Sequence, residues 1–208
     1  MLRRLVLLGL AVAGLAGAAL LLWPGDDGQA GVRRQSLTLL LTAALTGLAL
    51  SGDLFNLYVF YELAAVASYG LVAGGGSSAG FVAAFRYLLI SALGSVIGLM
   101  GIALIYFTTG TLNLAHLASL SDQLANPQGL AAFAMLVIGF GVKAELFPVN
   151  GWVPEVYGAA SKRVAALLAG LASKLAVLAI VRVLLLVFPD EAARQLLLVW
   201  AGEGRGTT

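Results

Sequence analysis

Six long apolar runs separated by short polar clusters make up most of the chain. The first, Leu5 to Trp23, follows Met1-Leu-Arg-Arg4 and is nineteen residues long. That is close to the roughly 20 residues a bilayer needs and longer than a signal-peptide core, so a retained span is expected here, with a cleaved leader as the alternative. Pro24 to Arg34 reads as a polar loop and Gln35 to Leu50 as a second, shorter span. Ser51-Gly-Asp53 is a helix N-cap signature before a third span, Leu54 to Ala73. The Gly74 to Ser78 loop is glycine-rich but lacks the Lys-Ser/Thr of a phosphate loop. A fourth span is expected at Tyr87 to Thr108, with Arg86 snorkelling at its edge and a GxxxG pair, Gly94 and Gly98, marking close helix packing. After a turn-rich segment holding His116 as an ordinary loop residue, Leu130 to Phe147 is the fifth span and Val164 to Val187 the sixth, with Arg182 near its far end and able to snorkel. Past Pro189, the apolar stretch Leu196 to Trp200 is too short to cross, and no internal repeat is evident.

Composition turns this pattern into a class. With 61% hydrophobic and 11% charged residues and a mean hydropathy of +0.98, the expected fold is an all-α polytopic membrane bundle of about six transmembrane helices, one of them discontinuous around Pro148. It divides into an N-terminal helix and polar loop (1–34), a half-bundle (35–187) and a short tail (188–208). The 12 basic and 10 acidic residues are scattered, which excludes a nucleic-acid surface and leaves them as topology signals. Alternating spans place Arg33, Arg34, Arg86, Lys162 and Arg163 on one side and Arg3 and Arg4 on the other, so the amino terminus is expected outside. Without cysteine there is no thiolate ligand set, and a single histidine excludes a multi-histidine metal or haem site. No cofactor and no catalytic constellation are expected, and any electron transfer belongs to a partner.

Within this apolar background, Lys143-Ala-Glu-Leu-Phe-Pro-Val-Asn-Gly-Trp-Val-Pro-Glu-Val-Tyr157 is a charged, proline-broken interruption. Pro148 crowds the carbonyl of Ala144, and Asn150, Gly151 and Pro154 keep the backbone irregular. At membrane depth such a break is tolerable only against protein or a water-filled cavity. Lys143 is therefore expected at a hydrated break, the plainer alternative being a helix end whose lysine snorkels. Glu62 lies eight residues into its span, roughly 12 Å deep at about 1.5 Å per residue, and Lys174 lies ten residues into its own, roughly 15 Å deep. A charge at the bilayer centre costs roughly 2.5 to 3.5 kcal/mol on insertion scales. A static ion pair accounts for Glu62 with one lysine and leaves the other uncompensated; a proton path accounts for all three. Glu145 is an extra acid and an accessory candidate, although at i, i+2 from Lys143 it points to another face of a regular helix.

Gly52-Asp-Leu-Phe-Asn-Leu-Tyr-Val-Phe-Tyr-Glu62, Phe85-Arg-Tyr-Leu88, Thr108-Thr-Gly-Thr111, Lys143 to Tyr157 and Leu167 to Arg182 resemble, in order and spacing, the antiporter-like subunits shared by respiratory complex I, membrane-bound hydrogenases and Mrp-type cation/proton antiporters. The resemblance implies that Glu62, Lys143 and Lys174 form the input half of a proton pathway. It also implies membrane-subunit partners in a multi-subunit complex, among them one supplying a second half-channel, and a bacterial or archaeal cytoplasmic membrane. Protons would move, with sodium or potassium open as the coupled ion. Asn150 stands where many relatives have a histidine, and the chain is expected to lack the second half of the family fold and about two helices at its front. The rival readings are a truncated, non-conducting structural subunit and a small-solute carrier; no additional polar pocket supports the latter.

Overall fold

The computed structural model describes residues 28–188, together with residues 14 and 195. Apart from those two single residues, the predicted span Leu5 to Trp23 and the tail beyond Pro189 lie outside the described residues. Those described form a polytopic helical bundle without strands, as expected. Among the described residues three helices are long and apolar enough to cross a membrane, and a shorter apolar one, Pro127–Gly141, accompanies them.

Helix α1, Gln29–Leu50, begins six residues before the expected Gln35, so Arg33 and Arg34 sit in a helix and not in a loop. No proline lies between Gln29 and Gln35, and the alanine, arginines and glutamines there are good helix formers on either side of Gly31. Gly28, with φ of 89°, makes the turn that precedes it. Helix α2, Leu54–Ala73, has the predicted bounds, and the Asp53 carboxylate caps it by accepting from the Phe55 and Asn56 amides at 2.9 and 3.1 Å.

Helix α3, Ser78–Thr109, starts nine residues before the predicted Tyr87. At about 1.5 Å per residue it extends roughly 48 Å, more than the hydrocarbon layer, so it must tilt or protrude. Arg86 consequently lies inside the helix, and instead of anchoring its edge it pairs with Glu155 across to a later segment. The connection after α3 holds α4, Leu114–Ser119, and a 3-10 turn, Ser121–Leu124, which bury Leu114, Leu117 and Leu124 and leave His116 exposed. Leu54 N–H donates to Leu112 O at 2.8 Å and Leu114 N–H to Gly52 O at 2.9 Å, tying the start of α2 to the start of α4. This fixes the height of Glu62 from one end.

Helix α5, Pro127–Gly141, is capped by Asn126, whose side chain accepts from the Gly129 amide. It is followed by turns, then α6, Val153–Ala159, and α7, Lys162–Leu186. Within α7, Leu168–Ala172 forms a π turn.

The bundle packs α1 on α2, α2 on α3, α3 on α5, and both α1 and α5 on α7. Small residues let α3 and α5 approach backbone to backbone. A Cβ on Gly139 would lie 2.7 Å from Gly98 Cα and 3.0 Å from Gly94 O, so the GxxxG pair has its complement on α5. Arg182 does not snorkel: it is buried and donates to Ala49 O at 3.0 Å, Leu48 O at 3.3 Å and Ser51 O. These carbonyls end α1 and have no intrahelical partner, so a guanidinium with several donors is better held there than at the headgroups.

Gly139→Ala is expected to lower the stability of the solubilised protein by about 2 kcal/mol, because backbone and not a flexible side chain blocks the new methyl. Gly98→Ala, whose Cβ would meet Gly139 Cα at 3.4 Å, is expected to stay within about 1 kcal/mol of wild type. Thermal unfolding in detergent measures both, and equal losses would contradict the packing described.

Candidate functional site

Adjacent residues Tyr61 and Glu62 on α2 face Ser91 and Ser95, one turn apart on α3, and the chain that follows α5 delivers Lys143 between them. Lys143 Nζ donates to Ser91 Oγ at 2.9 Å, lies 3.8 Å from the centre of the Tyr61 ring, and stands 3.9 Å from Glu62 Oε1. Ser95 Oγ donates to Glu62 Oε1. The lysine side chain is 4% exposed and the glutamate 33%. Charge is thus buried on one member, while the other keeps an opening.

At 3.9 Å the pair is an ion pair without a direct hydrogen bond. Two unit charges about 4 Å apart attract by roughly 4 kcal/mol at an effective dielectric near 20. Removing an ion from water costs several kcal/mol. The two effects are of the same size, so the attraction to Glu62 offsets much of the cost of burying the lysine. Each serine adds a hydroxyl able to donate and accept, which gives both charged groups a neutral partner as well as each other.

Regular α-helix ends at Gly141, well before Pro148, so the break is not made by the proline. Glu145, with φ of 60°, terminates the turn in the left-handed region, and Leu146 N–H donates to Gly141 O at 3.0 Å. Together these are a left-handed helix cap with a glutamate where glycine is usual. Trp152 Nε1 donates to Val142 O at 2.9 Å, and its ring stacks on Tyr87 at 4.0 Å. The carbonyls of Gly141 and Val142, freed at the break, are therefore met by protein groups. Val142, Lys143, Ala144 and Trp152 are buried, Pro148 and Gly151 are exposed, and Asn150 is intermediate. Glu145 accepts from the Tyr157 hydroxyl, whereas the carboxylate paired with Lys143 is that of Glu62.

The structure brings Glu62 and Lys143 together and leaves Lys174 apart. Lys174 is exposed, and its hydrogen bond is to the adjacent Ser173 at 3.3 Å. Its mid-helix level follows from the length of α7, but level does not fix the face. The π turn just before it inserts an extra residue, which rotates everything after it by about 100°. Depth and charge do not single out Ser91, Ser95 or Tyr61. The signal available is two serines at i, i+4 in an apolar run, interleaved with Gly94 and Gly98, where a lipid-facing helix has no use for hydroxyls. An open groove of about 520 Å³ between α3 and α6, lined among others by Val82, Ala83, Pro154 and Glu155, includes no member of the pair.

Residues 51–203 match the NADH:quinone oxidoreductase/Mrp antiporter transmembrane family. The chain belongs to that family. It is 41% identical over 159 residues to an NADH-quinone oxidoreductase subunit, the N subunit, of Desulforudis audaxviator, covering 76% of this chain and 31% of the relative. It is 36% identical over 165 residues to a Na(+)/H(+) antiporter subunit of Alkalihalophilus pseudofirmus, covering 78% and 34%. Among solved structures it superposes on a chain of the membrane-bound sulfane sulfur reductase, an archaeal respiratory membrane complex, with a TM-score of 0.80 and 34% identity, over 91% of this chain and 39% of that one. The chain thus spans about a third of the length of the curated relatives it matches. Family membership confirms the resemblance read from the motifs.

Glu145→Gly is expected to be more stable than Glu145→Ala by about 1 kcal/mol, since both lose the carboxylate and only alanine keeps a side chain in the left-handed conformation. Thermal unfolding compares them, and the reverse order would remove the cap from the description of the break.

Proposed function

We propose that this chain conducts protons through a membrane half-channel as one subunit of a multi-subunit complex, in which Glu62 controls the proton on Lys143. The observation that carries the reading is the buried ammonium of Lys143, 3.9 Å from the Glu62 carboxylate, at a helix end inside the bundle. A carboxylate that swings away removes the charge that holds the lysine proton, and the proton leaves. Ser91 and Ser95 keep each group hydrogen-bonded while the other moves. Lys174 takes the proton onward from its position on α7, toward a surface that another subunit or further chain completes. The names of the relatives support a complex of either redox-driven or cation/proton antiporter type. Pro148, Asn150 and Gly151 form the outer lip of the break, and Glu145 holds its turn in place.

The exposure of Lys174 favours a second reading, in which Glu62 and Lys143 are a static ion pair in a non-conducting structural subunit. A pair needs no third charge, and a partner helix could cover Lys174 without passing a proton to it. Flux separates the two readings.

Proton flux in inverted vesicles driven by the native complex is expected to fall at least about tenfold in Lys143→Ala and in Glu62→Gln, the effect of roughly 1.4 kcal/mol on the rate-limiting barrier. Lys174→Ala is expected to fall as well. Variants must be compared at matched assembly levels. Wild-type flux in both pair variants, with the complex intact, leaves the structural subunit as the better account.

A further inference from the structure

The last turn of α5 does not end for want of helix-forming backbone. Val142 N–H donates to Ile138 O at 3.3 Å and Ala144 N–H to Phe140 O at 3.1 Å, both in the ordinary helical register. Between these two rungs, the bond from Lys143 N–H to Gly139 O is replaced. The Tyr61 hydroxyl stands in its place, donating to Gly139 O at 2.6 Å and accepting from Lys143 N–H at 3.3 Å. A side chain inserted into the hydrogen-bond ladder is one of the few identifiable causes of a sharp kink in a helix. Here the inserted group comes from another helix.

The insertion is held firmly. Tyr61 is 3% exposed, its ring meets Phe140 edge-on at 5.0 Å, and the Lys143 ammonium lies over its face. One residue therefore touches Lys143 twice, at its backbone through the hydroxyl and at its charge through the ring. Tyr61 is also the immediate neighbour of Glu62, so α2 cannot shift without moving both the carboxylate and the clamp on the lysine backbone.

We propose that Tyr61 is a positioning residue for proton transfer: its hydroxyl, spliced between Gly139 and Lys143, sets where the Lys143 side chain leaves the helix and couples that position to the helix bearing Glu62. This rests on the conduction reading above and adds to it the device that holds the pair at its working separation. Movement of α2 then acts on the lysine through both contacts together, so the geometry of the pair answers to a small displacement.

The test is Tyr61→Phe in the intact complex, which keeps the ring and removes the hydroxyl, with the exposed Tyr106→Phe as the control. In a cryo-EM map the variant is expected to show Lys143 N–H bonded to Gly139 O and Nζ withdrawn from Ser91. Flux is expected to fall about fivefold, the cost of one hydrogen bond, and the pH of half-maximal flux to move by roughly 0.7 unit; Tyr106→Phe changes neither. A Lys143 position identical to wild type overturns the proposal whatever the flux. A displaced Lys143 with an unchanged pH profile overturns it too, leaving Tyr61 a packing residue. Lys143→Ala is run alongside: loss of flux there with an unaltered Tyr61→Phe profile defeats the positioning role alone, whereas full flux in Lys143→Ala defeats the conduction reading beneath it.

Discussion

Inside a bilayer every backbone polar group and every charge has to be met by protein or by water in a cavity, because lipid meets neither. The end of α5 is built around that constraint. Gly139 O is taken by Tyr61, Val142 O by Trp152 and Gly141 O by Leu146 N–H, while the Lys143 ammonium is shared between Ser91, the Tyr61 ring and Glu62. The close approach of α3 to α5 at Gly94, Gly98 and Gly139 brings Ser91 within reach of Lys143, while the packing of α3 on α2 brings Ser95 to Glu62. The glycine stripe, the aromatic residues around the break and the capped turn at Glu145 are parts of one arrangement that lets a helix stop in an apolar setting and present a charge there.

The same constraint recurs at the other end of the bundle. Arg182 places a second buried cation on the terminal carbonyls of α1, where partial negative charge collects. The two cations differ in their partners. Arg182 faces the fixed dipoles of backbone carbonyls, and Lys143 faces the Glu62 carboxylate. A guanidinium offers several donors to a row of carbonyls, whereas an ammonium is a compact charge beside one carboxylate.

Much of this is legible in the sequence. The apolar runs locate α2 to its terminal residues, because Asp53 and the Gly74 to Ser78 loop are unambiguous punctuation. Depth and charge together single out Glu62 and Lys143, and the motifs place the chain in its family. Three things are hidden. The starts of α1 and α3 lie beyond arginines, Arg33 and Arg34 in α1 and Arg86 in α3, that read as the edges of spans although the helix continues through them. Sequence assigns the break to Pro148, the strongest local breaker, whereas a hydroxyl from another helix interrupts the ladder earlier; a contact across 82 positions leaves no local trace. For Lys174, counting residues gives its level but not its face, since a π turn is silent in composition. Family likeness recovers none of these, because it transfers motifs and not hydrogen bonds.

Whether Glu62 and Lys143 act as a unit is the central claim, and a double-mutant cycle on proton flux tests it most directly. Flux through the assembled complex would be measured for Glu62→Gln, Lys143→Ala and the two combined. If the carboxylate works only through the lysine proton, the double variant loses no more than the worse single variant, a strongly non-additive result of the kind shown by residues that act together. Losses that multiply, so that each change removes its full share in the absence of the other, would mean that the two groups serve separate steps and that the 3.9 Å pairing is incidental to conduction.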